Sequence, residues 1–389
     1  MLVAAGVTAL GLLLVGVTTQ LFGYRLGGTI SIPVLAVYTL KNVLMLPIFV
    51  FSTAVAYAGL WLVKQRTLLY GRDELLFTMA VGSGVPILLL VALDTQLPES
   101  LRAVAFLGSI LPGLAAYNYH QLKPQYRRYD LLTATALYLG LLALGWLLIT
   151  PALAETVGQV TPPALYTRTT DAAVYKGAAL QTDLEPKILA RPLVAVLFLL
   201  GLLLAERVRS RYGIRIGLIA LPLLAIYALA SRWLILLYVL LLGLAAAFLH
   251  LTHVRTLLYG RVLISLTTAF TLVVSVPIVV FLPITRGLSA YFVAILAGIA
   301  AYNWHTAPGK KGRLFVPLQL GIFAVMVLIA RAAGRVLPDG VPQTLTLFTI
   351  SRGLFVAVVC LVIVELYTVY QPAHDDVFEA SILSGGDQD

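Results

Sequence analysis

Arg66-Thr67-Leu68-Leu69-Tyr70-Gly71-Arg72 recurs without a change as Arg255-Thr256-Leu257-Leu258-Tyr259-Gly260-Arg261, 189 residues downstream. Gly113-Leu114-Ala115-Ala116-Tyr117-Asn118-Tyr119-His120 returns as Gly298-Ile299-Ala300-Ala301-Tyr302-Asn303-Trp304-His305, 185 residues on. Upstream, Pro33-Val34-Leu35-Ala36-Val37-Tyr38-Thr39-Leu40 matches Pro222-Leu223-Leu224-Ala225-Ile226-Tyr227-Ala228-Leu229, again at 189. Three colinear matches with one small indel exceed what shared hydrophobicity produces, so the chain reads as an internal duplication.

The solvent for most of this chain is lipid. Of 389 residues, 60% are hydrophobic and 11% charged, too few polar groups to cover a soluble core of that size. Runs such as Ala4–Phe22 and Trp233–Leu249 approach the ~20 apolar residues that a spanning helix needs. Once these runs are counted, no stretch is left for a soluble catalytic domain. The single cysteine, Cys360, rules out a disulfide within the chain and a thiolate metal site. The net charge of +10 reads first as the positive-inside bias of membrane proteins. Met1-Leu2-Val3 lacks a basic n-region, so the first run is expected to stay as a helix rather than be cleaved.

Each copy carries six hydrophobic segments: 3–22, 28–40, 43–63, 75–93, 101–118 and 131–150, then 192–205, 216–231, 233–252, 262–283, 288–303 and 314–330. A thirteenth, 353–370, has no counterpart, and an acidic tail from Asp375 to Asp389 follows it. The second segment of each copy is short and holds a proline, Pro33 or Pro222, which suits either a kinked span or a re-entrant piece. With six spans per copy, the odd-numbered loops collect sixteen of the 27 basic residues, and the short outer loops hold four. Five spans per copy would invert one copy and turn its basic loops outward. Charge therefore favours an all-α integral membrane fold of two parallel six-helix repeats plus a thirteenth C-terminal helix. The expected parts are a first repeat at 1–150, an extracytoplasmic connector at 151–191, a second repeat at 192–333, and an extra helix with a cytoplasmic tail at 334–389. The connector suits a plain linker or a small partner-contact loop.

The heptapeptide falls at the cytoplasmic end of the third span. Arg and Tyr suit the headgroup layer, and Gly71 and Gly260 can end a helix in the left-handed conformation. The sharper reading makes Arg66, Tyr70, Arg72, Arg255, Tyr259 and Arg261 contacts for an anionic partner or polymer. The second motif, with Asn118 and His120, Asn303 and His305, ends the fifth span as a polar cytoplasmic cluster or a helix-packing device. Pro33, Pro112, Gly113, Pro222 and Gly298 are read as packing or kink positions. His250 and His253 share a helix face but face Trp61 and Lys64 in the other copy, which argues against a metal. Asp73-Glu74 align with Val262-Leu263, so they suit a helix N-terminal charge effect rather than a paired-carboxylate mechanism. No Walker loop, nucleophile elbow or zinc-protease motif is present, and no catalytic residue, metal or cofactor is assigned.

At these motifs the chain resembles the poly-γ-glutamate synthase membrane subunit family, PgsC or CapC, of capsule biosynthesis. The matching residues are Pro33, then Leu69-Tyr70-Gly71-Arg72, then Leu111-Pro112-Gly113-Leu114 through Asn118. The second copy matches through Pro222, Leu258-Tyr259-Gly260-Arg261 and Gly298 through Asn303, with Ala297 in place of Pro112. Family members are single units, whereas this chain carries two. The resemblance implies a multi-pass plasma-membrane subunit without catalytic activity of its own. Its implied partners are a cytoplasmic Mur-ligase-like, ATP-dependent amide ligase, other membrane subunits, the anionic polymer and the lipid bilayer, with no nucleic acid. Its implied role is to anchor the ligase and help the polymer cross. A stand-alone secondary transporter or flippase is the alternative. Such proteins bury a functional charge mid-membrane, and here only Glu365 and Arg215 depart from the span ends.

Overall fold

A computed structural model describes residues 1–92, 111–180, 188–217, 220–307 and 309–370. The described residues hold helices and no strands. The long helices are α1 (Leu2–Phe22), α2 (Ser31–Lys41), α3 (Met45–Arg66), α4 (Arg72–Ala92), α5 (Leu111–His120), α6 (Arg127–Leu148), α7 (Arg191–Tyr212), α8 (Ala220–Ala230), α9 (Arg232–Thr256), α10 (Gly260–Phe281), α11 (Gly287–His305), α12 (Phe315–Ala333) and α13 (Leu347–Tyr370). Each of the thirteen expected segments meets one of them. Positions 101–110 of the fifth segment, Arg102 included, and the acidic tail lie outside the described residues. Among the described residues, eight helices are long and apolar enough to cross a bilayer: α1, α3, α6 and α9 to α13. The protein is a multi-pass membrane protein.

Helix α7 runs to Tyr212, seven residues past the expected end of its apolar run. The extension carries Glu206, Arg207, Arg209 and Arg211, which a helix can hold only beyond the hydrocarbon, or paired within it.

Helices α2 and α8 have eleven residues each, about 16 Å of rise, or half the ~30 Å hydrocarbon core. Every residue of α8 is buried, as is every residue of α2 except Lys41, so both are apolar all round and sit inside the protein. Neither proline interrupts a run of helical hydrogen bonds. Pro33 and Pro222 are the third residues of α2 and α8, in the first turn, where the missing N–H has no intrahelical acceptor to lose. The chain reaches α2 from α1 through non-helical backbone. Gly23 caps α1 in the left-handed conformation, and Leu26, Gly27 and Gly28 all keep positive φ. Leu26 is fully buried, whereas Gly23 is exposed.

Hydrogen bonds sort the helix ends onto two faces. On one face, the Met1 ammonium donates to the Pro162 carbonyl at 2.8 Å, Lys41 to that of Ala164 and the Tyr166 hydroxyl to that of Leu148. The Val43 N–H donates to Asp171, and Gly287 lies against the Pro162 backbone. The described part of the connector is therefore packed structure rather than a plain linker. It contains the short helices Pro151–Thr156 and Asp171–Tyr175, and Ala164, Leu165, Tyr166 and Thr170 are buried in it. Burial raises the Tyr166 hydroxyl above the ordinary phenol range. The stability it contributes is complete below the ordinary phenol pKa and lost as pH climbs through the raised one. Tyr166→Phe should accordingly lower stability by about 1 kcal/mol at neutral pH and blunt the alkaline fall of a thermal-unfolding midpoint.

The opposite, basic face gathers the ends of α1, α3, α5, α7, α9 and α11 and the starts of α4, α6, α10 and α12. Packing recurs between the halves: α3, α4 and α5 pack mutually, as do α9, α10 and α11. Helix α2 lies on α6 as α8 lies on α12, while α1 packs on α10 and α7 on α4. Helix α13 packs on α12, with Gly321 against Cys360 and Gly353 against Leu328.

Candidate functional site

The repeated heptapeptide divides into an outward and an inward part. Helix α3 stops at Arg66 and α9 at Thr256, leaving Leu68, Tyr70, Leu257 and Tyr259 at least 75% exposed. Arg66 and Arg255 are exposed as well. Large apolar and aromatic side chains projecting beside cations at a helix end suit the headgroup layer or a docked partner. Gly71 and Gly260 do take left-handed φ, 64° and 65°. They open α4 and α10, however, instead of closing α3 and α9 as the sequence suggested. The preceding helices end earlier, on an extended Thr67 and a left-handed Leu257.

The motif's last arginines point into the seam between the halves. Arg72 Nε donates to Glu206 Oε2 on α7 at 2.7 Å, and Arg209 Nη1 donates to Glu206 Oε1 at 3.0 Å. Arg261 Nη2 donates to Asn118 Oδ1 on α5, also at 2.7 Å. Each arginine therefore leaves its own half for the other, with a carboxylate partner in one case and an amide in the other. Asn118 in turn donates from Nδ2 to the Leu114 carbonyl, and Gly28 approaches it so closely that a Cβ there would lie 2.9 Å from Nδ2. Asp130, buried at the start of α6, accepts from the backbone N–H groups of Arg25 and Leu26 at 2.7 and 2.9 Å.

The polar ends of α5 and α11 have diverged. In the first half, buried Glu74 accepts from Lys64 at 2.8 Å and from Gln121 at 2.6 Å. A partnered buried carboxylate thus stands where the sequence suggested only a helix N-terminal charge effect. His120 packs on the Tyr57 ring, whose hydroxyl accepts from Arg127. In the second half, the position of Glu74 is Leu263 and that of Lys64 is His253. His253 lies edge-on to His305, ring centroids 5.0 Å apart. Asn303 does not take up the role of Asn118, because Arg72 is met by Glu206. Among the described residues no group of three or more His, Cys, Asp or Glu side chains has the arrangement to hold a metal.

Arg25, Arg215, Asp130, Gln121 and Glu206 were not singled out as site residues by the sequence reading. A signal for the first two was present: Gly23-Tyr24-Arg25-Leu26-Gly27 aligns with Gly213-Ile214-Arg215-Ile216-Gly217, and both leading glycines cap their helices at φ 71°. Arg215 is thus a repeated position and not an isolated charge. Glu365 accepts from the Tyr212 hydroxyl at 2.6 Å and pairs with Arg211 at 2.7 Å, which ties α13 to the end of α7. Asp130, Gln121 and Glu206 have no repeat counterpart to mark them.

Residues 10–128 match the family model described as capsule biosynthesis CapC. No curated protein and no solved structure matches the chain. The matched stretch contains the first heptapeptide, Pro33 and the Pro112-to-Asn118 motif. It supports a role in capsule or polyglutamate synthesis.

Proposed function

We propose that this chain, of the capsule-biosynthesis CapC family over residues 10–128, is a non-catalytic membrane subunit of a poly-γ-glutamate synthesis and export complex. In this reading two CapC-like units, 1–150 and 192–333, are fused through the 151–191 connector. The chain anchors a cytoplasmic Mur-ligase-like amide ligase at its basic face and assists passage of the anionic polymer. The observation that carries the reading is the family match, which includes a motif whose tip projects from that face. Arg66 with Tyr70, and Arg255 with Tyr259, are the exposed ends of that motif in the two halves. Cations raise the local concentration of a polyanion, and aromatic rings beside them form the usual hot spots of a protein interface.

Combining Arg66→Glu with Arg255→Glu should reduce co-purification of the ligase and polymer yield by about tenfold or more. The variant protein should remain folded, because these side chains are exposed. Deleting the whole gene decides the matter. If the ligase stays at the membrane and polymer yield is unchanged, the reading is wrong.

One observation favours the stand-alone transporter. The non-helical segment 23–30, followed by the half-length helix α2, has the form of the broken helices that line transporter sites. Uptake of glutamate oligomers into vesicles containing only this protein would select that reading.

A further inference from the structure

Arg72 and Arg261 occupy the same position of the repeated motif, yet their hydrogen-bond partners differ. Arg72 meets the Glu206 carboxylate, which Arg209 also contacts, and Arg215 lies within electrostatic reach as well. Arg261 meets only the neutral oxygen of Asn118. Its Nη1 is buried and has no hydrogen-bond partner among the described residues. Arg25, the Tyr117 phenol and Asp130 lie within electrostatic reach of Arg261. Asp130 is already engaged, since its Oδ1 accepts from two backbone N–H groups of the 23–30 segment. The neighbourhood thus holds two guanidinium groups and one carboxylate. A buried guanidinium nitrogen without an acceptor is costly, and a single added anion would balance both the charge and the hydrogen bond.

We propose that Arg261, with Arg25 and Asn118, forms an oxyanion site at the basic end of the seam between the halves, taking one carboxylate or phosphate group. The planar guanidinium fork allows this division of labour: Nη2 is anchored on Asn118, and Nη1 donates to an oxygen of the anion. Arg25 supplies the second positive charge from the other half. Asn118 is held by its own Nδ2 bond to Leu114, so its oxygen is kept toward Arg261. The segment that carries Arg25 leads into the first turn of α2, whose free N–H groups favour negative charge on the same side. Arg72 makes no second site, because Glu206 already gives it a carboxylate and none of its nitrogens is buried without a partner among the described residues.

The anion has two possible sources with the same chemistry: a free carboxylate of a glutamate polymer, or the phosphate of an anionic lipid. Only the first rests on the function proposed above. The test uses the full chain in nanodiscs. In one arm the discs contain phosphatidylcholine alone and are titrated with oligo-γ-glutamate, read by binding and by thermal unfolding. In the other arm no oligomer is added, phosphatidylglycerol is introduced, and lipid retention is read by native mass spectrometry. Two variants are compared with the original chain. Arg261→Gln removes the donor, whereas Asn118→Asp places an internal carboxylate beside Arg261 and reproduces the Arg72–Glu206 arrangement.

The original chain is expected to respond in at least one arm, and both variants to bind at least about tenfold more weakly. Asn118→Asp exchanges the Nδ2 bond to Leu114 for an ion pair with Arg261, so its melting temperature should stay within a few degrees of the original without added anion, and its loss of binding is not a loss of folding. A response to the oligomer identifies a carboxylate ligand, a response to phosphatidylglycerol alone identifies a lipid phosphate, and either upholds the site. No response in both arms, or anion binding by Asn118→Asp equal to that of the original chain, overturns it. A lipid-only result would remove the polymer from this site and leave the ligase-docking reading to its own experiment on Arg66 and Arg255.

Discussion

Gly113→Val should leave little folded protein in detergent. Helices α4 and α5 cross with their backbones in contact: a Cβ on Gly113 would lie 2.6 Å from the Met79 Cα and closer still to the Thr78 carbonyl oxygen. Gly82, across the same crossing, faces the Gly113 backbone nitrogen. Backbone atoms cannot rotate out of the way as a side chain can, so the helices must separate and lose their contact. The expected penalty is about 3 kcal/mol or more, at the upper end of overpacking costs. Gly298→Val in the second half should behave alike, because its Cβ would lie 2.8 Å from the Thr268 Cα. Gly140, on α6, has nothing within 4 Å of the corresponding point. Gly140→Ala should therefore stay within about 1 kcal/mol of the original stability. Size-exclusion profiles and thermal unfolding of the three variants check the contrast, and a well-folded Gly113→Val would refute the tight crossing.

Lys64→Met should destabilise the chain by about 3 kcal/mol, because it strands Glu74, whose side chain is 3% exposed, without its cation. Gln121 would remain as a donor, but an amide does not cancel a charge. The second half shows how the site can do without the pair, with His253 and Leu263 at these two positions. Adding Glu74→Leu to Lys64→Met should thus restore most of the lost stability, as buried pairs commonly exchange for apolar residues at little cost. A double-mutant cycle on thermal unfolding reads the coupling directly. If the two substitutions simply add, Glu74 does not depend on Lys64 and the ion pair contributes little.

The two halves differ in their buried partners and agree in their exposed tip. The outer Arg-Tyr tip is the same in both copies, and both copies expose it on one face. The buried partners have drifted: Glu206 for one motif arginine, Asn118 for the other, an ion pair beneath α5 and a histidine pair beneath α11. On the function proposed above, the exposed tip is held by what binds it from outside. A buried contact needs only some arrangement that satisfies charge and hydrogen bonds, and the two halves hold different solutions.

Hydrophobic run length, a local property, settled the thirteen helical segments and their order, because lipid leaves a backbone little choice but helix. The exposed part of the candidate site, Arg66 and Tyr70 with Arg255 and Tyr259, was also legible, since exact repetition marks it. Three things required the tertiary structure. The first is the place of Pro33: its sequence suited a kinked span or a re-entrant piece, and the structure puts it in the first turn of a buried eleven-residue helix. The second is the role of the connector, whose polar composition resembles a linker although its backbone and side chains bond to the ends of α1, α2, α3 and α6. The third is the split of the heptapeptide, because Arg72 and Arg261 find their partners 134 and 143 residues away. Hydropathy and repetition are written along the chain. Which cation is neutralised, and by what, depends on groups that come together only when the two halves pack.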